Sequence, residues 1–170
     1  MKFKRSLFLP FLLSILSSVS FAQSSQLNDL LDAATQGNAE AQFNLGRMYD
    51  KGQGVVQNYT KAFEWFSKSA AQGNAKAQFN LAAMYLNGDG VAQSDVKAFE
   101  WFSKSAAQGD AKAQNNLAAM YSDGRGVTQS DVKAFEWFSK SAAQGNVNAQ
   151  YSLGRMYDKG QGVVQNYTKA

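Results

Sequence analysis

The chain has 170 residues, no cysteine, no histidine and a single proline, Pro10. These absences exclude disulfides, thiol or histidine catalysis and cysteine- or histidine-based metal sites, and the proline-free remainder suits helices. The formal charge is +4, and three of these charges come from the first 22 residues; the rest of the chain has 14 basic against 13 acidic residues. So nearly neutral a remainder predicts no nucleic-acid partner. No cofactor is predicted.

Residues 1–22 have the composition of an export signal. MKFKR gives a positive start, residues 6–16 form an apolar run, and SSVSFA ends with the small residues Ser20 and Ala22. A helix that spans a bilayer needs about 20 apolar residues, so this run is too short for a membrane anchor. We therefore predict a signal peptide cleaved after Ala22, which leaves a periplasmic or secreted protein with no membrane insertion.

Residues 23–36 are predicted to form an N-terminal capping helix. The segment LLDAATQGN is similar to the FSKSAAQGN that closes the later units, although leucines stand in place of the aromatic residues. The end units of a stacked array need a covering surface. We expect this helix to cover the open face of the first unit.

From residue 37 onward the sequence repeats every 36 residues. The step is marked by the glycines Gly37, Gly73, Gly109 and Gly145. The block KAFEWFSKSAAQG occurs three times without a change. Such a period indicates a stack of repeated units. Three complete units and a partial fourth cover residues 37–72, 73–108, 109–144 and 145–170.

Each unit is predicted to contain two helices, which makes the fold all-α. The first helix ends at a Gly-x-Gly sequence, and the second ends at the glycine that opens the next unit. Residues that can cap the start of the first helix are Asn38, Asn74, Asp110 and Asn146. Residues that can cap the start of the second helix are Asn58, Ser94, Ser130 and Asn166.

One face of the first helix varies between units. At about 100° per residue, Ala41, Leu45 and Met48 share a buried face, whereas Phe43 and Arg47 fall opposite. The opposite positions change from unit to unit, and aromatic and Arg side chains are favoured at binding hot spots. Either this stripe binds an extended segment of a partner protein, or it has drifted as a solvated surface. The predicted binding residues are Phe43, Asn44, Arg47, Phe79, Asn80, Asn115, Asn116, Tyr151 and Arg155.

The repeat motifs resemble those of the Sel-one-like repeat family, a branch of the tetratricopeptide superfamily. AEAQFNLGRMYDKGQGV and KAFEWFSKSAAQGN carry the resemblance, which covers the chain after about residue 37. It implies a right-handed α-solenoid of antiparallel helical hairpins with a concave ligand-binding groove. It also implies an adaptor role in bacterial envelopes, signalling or host contact. The Helicobacter cysteine-rich proteins of this family, linked to β-lactam binding, have a disulfide in each repeat that this chain lacks.

The sequence favours a non-enzymatic scaffold or adaptor with a protein partner. The alternative is an envelope hydrolase or binder of β-lactam or peptidoglycan-like ligands, because Ser94 and Ser130 each begin an S-x-x-K. The companion motifs S-D-N and K-T-G are absent, and a helix cap followed by an exposed lysine explains the same residues. Asn87, Asp89 and Asp95 lack the spacing of an EF-hand loop, so no metal site is predicted.

The C-terminus falls inside the fourth unit. Ala170 occupies the place of Ala62, so this unit has no Trp–Phe pair. We expect a frayed last helix, cover by another chain or self-association through the uncapped end, or truncation within a repeat. Truncation is the interpretation favoured by the near-identical copies, and a duplicated fragment without function is a third alternative.

Overall fold

The computed structural model describes residues 25–164, 166, 168 and 169. The described residues contain eight helices and no strand, which confirms the predicted all-α class. The predicted signal peptide and its cleavage site lie outside the described residues. The helices are α1 (residues 25–35), α2 (Ala39–Lys51), α3 (Tyr59–Ala71), α4 (Ala75–Asn87), α5 (Asp95–Ala107), α6 (Ala111–Asp123), α7 (Asp131–Ala143) and α8 (Val147–Lys159).

The predicted caps of α2 to α8 are formed, whereas the helix predicted after Asn166 extends outside the described residues. Asn74 Oδ1 accepts a hydrogen bond from the backbone N–H of Ala77 at 2.9 Å. Gly88 ends α4 in the left-handed region at φ 82°, a conformation that glycine adopts without a Cβ penalty. The same N-cap contact starts the first helix of the other units at Asn38, Asp110 and Asn146.

The helices form an α-solenoid of stacked hairpins. Each second helix packs against the first helix of its own unit and against the first helix of the next. The core between units is filled by Phe66 and Phe102, which are 1% and 0% exposed, together with a leucine from each first helix. Because a Phe and a Leu recur at the same places, each unit buries its neighbour in the same way. The buried leucines are Leu45, Leu81 and Leu117.

A buried glutamine joins three helices in each of the first three units. Gln78 Nε2 donates to the carbonyl oxygen of Ala70 at 3.2 Å, and Gln78 Oε1 accepts from Gln108 Nε2 at 2.7 Å. Ser105, which is fully buried, donates from its hydroxyl to the carbonyl oxygen of Ala75 at 2.9 Å. Buried polar groups are costly unless hydrogen-bonded, so these contacts fix how α5 lies against α4. The sequence did not predict this role for the glutamines.

From the second unit onward, close backbone contact between units depends on the second glycine of the Gly-x-Gly. A Cβ added at Gly90 would lie 2.4 Å from the carbonyl carbon and oxygen of Tyr59, at the start of α3. Gly126 and Asp95 repeat this contact one unit later. The first glycine therefore ends a helix, and the second allows the loop to rest on the preceding unit.

Helix α1 packs against α2 in the same way as α3 packs against α4. Ala34 is 1% exposed, and its carbonyl oxygen accepts from Gln42 Nε2 at 3.0 Å. Leu27 and Leu30 pack against the cluster that includes Leu45. These contacts place apolar side chains on the first unit. The capping role and the domain boundaries stay predictions.

Candidate functional site

Phe43 lies inside the core, which corrects its predicted place on the outer face of α2. Only 6% of the residue is exposed, and its ring centroid lies 6.0 Å from that of Phe66. The prediction assigns one buried face to the helix. However, α2 packs against both α1 and α3 and so buries a wider arc. Ala41 and Leu45 are buried as predicted, and Arg47 is exposed.

A cavity of about 500 Å³ spans the first helices of three units, and we call it the Arg47 cavity. It brings together four of the predicted binding residues, Phe43, Arg47, Phe79 and Asn80. The rest of its lining comes from Lys76, Asp110, Ala111 and Lys112. The sequence prediction missed Lys76, although its spacing from Phe79 and Asn80 puts all three on one helical face.

Two further recesses occupy equivalent places in the stack. The Asp50 recess, of about 180 Å³, is lined by Asp50, Lys51, Phe66, Asn80, Ala83, Met84, Asn87 and Asp89. The Ser122 recess, of about 310 Å³, is lined by Ala119, Ser122, Asp123, Phe138, Ser152, Arg155, Met156, Lys159 and Gln161. Each of the eight lining positions of the Asp50 recess has its equivalent, two repeats later, among the lining positions of the Ser122 recess. Of these eight, only the Phe and the Met are the same residue in both.

Tyr151 and Arg155 line a separate cavity on α8. It measures about 450 Å³ and also contains Gly154 and Asp158. Tyr151 is 68% exposed, and the Arg155 guanidinium lies 6.0 Å from the centre of its ring. Among the predicted binding residues, Asn44 and Asn116 are half-buried and line none of the cavities described above.

Asn115 departs from the packing of its counterparts. Phe79 meets the Phe102 ring with centroids 5.6 Å apart, and Asn115 occupies the equivalent place one unit later. The Oδ1 atom of Asn115 is buried and has no hydrogen-bond partner. The third unit therefore lacks a ring at this place and carries an unsatisfied polar atom.

Within the described residues, an ion pair links the loop after α6 to the start of α5 in the unit before. Arg125 Nη2 lies 2.8 Å from Asp95 Oδ1, and Arg125 Nε donates to Asp95 Oδ2 at 3.2 Å. These hydrogen bonds raise the pKa of the Arg125 guanidinium above its ordinary value. The two side chains are 42% and 35% exposed, so the contribution of the pair to stability is small.

The serines of the two S-x-x-K sequences act as helix caps. Ser94 Oγ accepts from the backbone N–H of Lys97 at 3.3 Å, and Ser130 Oγ accepts from Lys133 in the same way. The Lys97 ammonium lies 5.2 Å from the centre of the Tyr85 ring. Within the described residues, no group of three or more acidic side chains could hold a metal ion.

Stacked helical hairpins whose first helices line a series of recesses define a helical-repeat protein of the solenoid class. The family model of the Sel1 repeat matches residues 39–74, 75–110, 111–146 and 147–170. Each match begins at the first residue of a first helix. The chain belongs to the Sel1 repeat family, whose members typically act as protein–protein interaction scaffolds and are generally not enzymes.

Solved structures of similar proteins share the fold. The protective antigen c5321 of uropathogenic Escherichia coli, described as displaying an SLR fold, is 42% identical with a TM-score of 0.79; the match covers 81% of this chain and 29% of that one. A Sel1 repeat protein from Oxalobacter formigenes is 34% identical with a TM-score of 0.80, over 88% of this chain and 62% of that one. This chain thus spans under two thirds of both proteins.

Cysteine-rich protein B of Helicobacter pylori is similar in fold alone, at 24% identity and a TM-score of 0.57, over 72% of this chain and 93% of that one. No curated protein matches the sequence. Among the helices that the structure describes, none is both long enough and apolar enough to cross a membrane.

Proposed function

We propose that this chain is an exported Sel1 repeat scaffold that binds a partner protein, as an extended segment, along the groove formed by its first helices. The observation that carries the proposal is the pair of equivalent recesses. The fold repeats the recess, while six of its eight shared lining positions change chemistry. A series of recesses with different linings can read successive side chains of one extended segment.

Neutral drift of solvated positions does not account for where the copies differ. The second helices expose Lys61, Glu64 and Lys68, and the equivalent residues in the next two units are the same. Drift of exposed positions would change these residues as readily as those of the first helices. After its first two residues the second helix is identical in all three complete units, whereas six of the eight shared recess positions differ, and this contrast favours a binding role.

The proposal that the protein is exported depends on residues 1–22. Their positive start, apolar run and small residues before the cleavage point have the order of a secretory signal. Cleavage after Ala22 releases the repeat units on the far side of the inner membrane. The partner is then a protein of the periplasm, the cell surface or the surroundings.

The test is capture of envelope proteins by the exported form. The full chain is expressed in a Gram-negative bacterium, and the exported form should begin at Gln23. We expect the variant Arg47→Ala, Asn80→Ala, Tyr151→Ala and Arg155→Ala to lose the captured partner, because all four side chains line the groove cavities. Capture is measured by crosslinking and affinity purification, and helicity by circular dichroism.

The matched control changes the same number of exposed residues on the second helices, Glu64→Ala, Lys68→Ala, Glu100→Ala and Lys104→Ala. It should capture the partner as the unaltered chain does. Equal capture by the groove variant and the unaltered chain would show that these cavities do not bind the partner. Retention of residues 1–22 in the recovered protein would contradict export by signal cleavage.

A further inference from the structure

Resting on the proposed function, we infer that the Arg47 cavity selects an acidic segment of the partner, with carboxylate side chains next to an apolar one. The cavity spans α2, α4 and the start of α6, and its volume is about 500 Å³. A space of this size holds a few side chains of an extended peptide. The charged residues around the cavity and the aromatic residues at its base determine which side chains it accepts.

Three cations surround the cavity and one anion faces them. The cations are Arg47, Lys76 and Lys112, and the anion is Asp110. Asp110 already serves the fold, because its Oδ1 accepts from the backbone N–H of Ala113 at 2.8 Å. The ion pairs recorded within the described residues involve Lys51 and Arg125, so none of the three cavity cations is in one. A bound carboxylate would supply the missing partner.

The floor of the cavity is aromatic. Phe43 and the half-buried Phe79 line it, and the Arg47 guanidinium lies 5.8 Å from the centre of the Phe43 ring. Ala111 and Lys112 are the first two residues of α6, whose backbone N–H groups have no partner within the helix. The helix dipole adds to the positive potential there. An apolar side chain on Phe79 and a carboxylate between the cations together complement this surface.

The neighbouring recess argues for a peptide over a nucleic acid. Asn80 lines both the Arg47 cavity and the Asp50 recess, and the latter contains Asp50 and Asp89. Lys51 is paired with Asp50 at 3.0 Å, which leaves the recess acidic. A nucleic-acid strand has a phosphate at every step, so its next phosphates would be repelled there. A segment with one local acidic cluster avoids that repulsion.

The experiment selects binders from a displayed library of random peptides with the full mature chain. We expect selected peptides to be enriched in Asp and Glu beside Leu, Ile or Phe. Their affinity should fall as salt is raised, because the contacts are exposed charges. The variant Lys76→Glu/Lys112→Glu should bind the selected acidic peptides at least about tenfold more weakly and should enrich basic peptides instead. Both lysines are exposed near helix N-termini, where glutamate is tolerated, so folding should be retained.

The control variant Lys68→Glu/Lys104→Glu makes the same charge change on the second helices and should bind as the unaltered chain does. Selection of neutral or basic peptides by the unaltered chain would overturn this inference but leave the proposed function intact. Equal losses of affinity in both variants, or preferential binding of a single-stranded DNA oligomer, would also overturn this inference and leave the proposed function intact. Failure to select any peptide would overturn both the inference and binding of an extended segment.

Discussion

Asn115 shows how one residue changes the packing of a unit whose framework is otherwise repeated. Its counterparts Phe43 and Phe79 each place a ring against the buried Phe of the following helix, 6.0 and 5.6 Å between centroids. Asn115 places a buried Oδ1 without a hydrogen-bond partner at the same position, opposite Phe138. An unsatisfied buried polar atom costs about 1–3 kcal/mol. Unit three is therefore less well packed than the two before it.

The substitution Asn115→Phe should stabilise the protein by about 1–3 kcal/mol. It removes the unsatisfied amide oxygen and restores the ring contact found in the first two units. The measurement is denaturant unfolding followed by circular dichroism. Asn115→Ala separates the two effects, because it removes the amide without restoring a ring. It should raise the free energy of unfolding by less than Asn115→Phe does. A Phe variant no more stable than the unaltered chain would contradict this explanation.

At the scale of the helix, the capping contacts decide where each element starts. Seven helices, α2 to α8, begin after a residue whose side-chain oxygen accepts the backbone N–H three residues later. Four of these caps are Asn, two are Ser and one is Asp. Ser94 and Ser130 belong to this set, so the S-x-x-K sequences follow from helix geometry. The lysine of each lies over a tyrosine ring of the preceding helix.

We expect Ser94→Ala to lower the free energy of unfolding by about 1 kcal/mol, because α5 loses its cap. Ser94→Asp should retain stability, since a carboxylate caps a helix as well as a hydroxyl does. Unfolding in denaturant measures both variants. Covalent labelling of the unaltered chain by a labelled penicillin, lost in Ser94→Ala, would instead indicate a nucleophile and revive the hydrolase alternative.

At the scale of the whole molecule, stability depends on contacts between successive units. Buried glutamines donate to a carbonyl oxygen of the unit before, as in Gln78 to Ala70 and Gln114 to Ala106. The loop glycines Gly90 and Gly126 lie against the backbone of the unit before. In the first unit, Gly54 meets a single side-chain atom, Met48 Cε at 3.2 Å. The same loop glycine thus has different roles along the stack.

This difference predicts that Gly90→Ala destabilises the protein more than Gly54→Ala. Both glycines have a positive φ, 69° and 75°, so a new side chain costs about 1–2 kcal/mol at either place. Only at Gly90 does the Cβ meet backbone, at 2.4 Å from Tyr59, which should add about 1–3 kcal/mol. Thermal unfolding compares the two variants. Equal losses would mean that the loop does not rest on the preceding unit as described.

The sequence by itself determined the units, their helices and their caps. These features depend on contacts between residues close in the chain, such as Asn74 with Ala77, which a pattern of residue types predicts directly. It also predicted that Arg47, Phe79 and Asn80 belong to one surface, because helical spacing fixes which side chains share a face.

Only the tertiary structure decided what lies between the units. Phe43 is buried because α2 packs on two sides, and Lys112 reaches the Arg47 cavity from two units away. The 36-residue period shows which positions are equivalent, but it does not determine the tilt and offset between one unit and the next. The tilt and offset depend on contacts that cross between units, such as the Phe63 ring against Tyr85 and the hydrogen bond from Gln78 to Ala70, and no pattern within one unit specifies them.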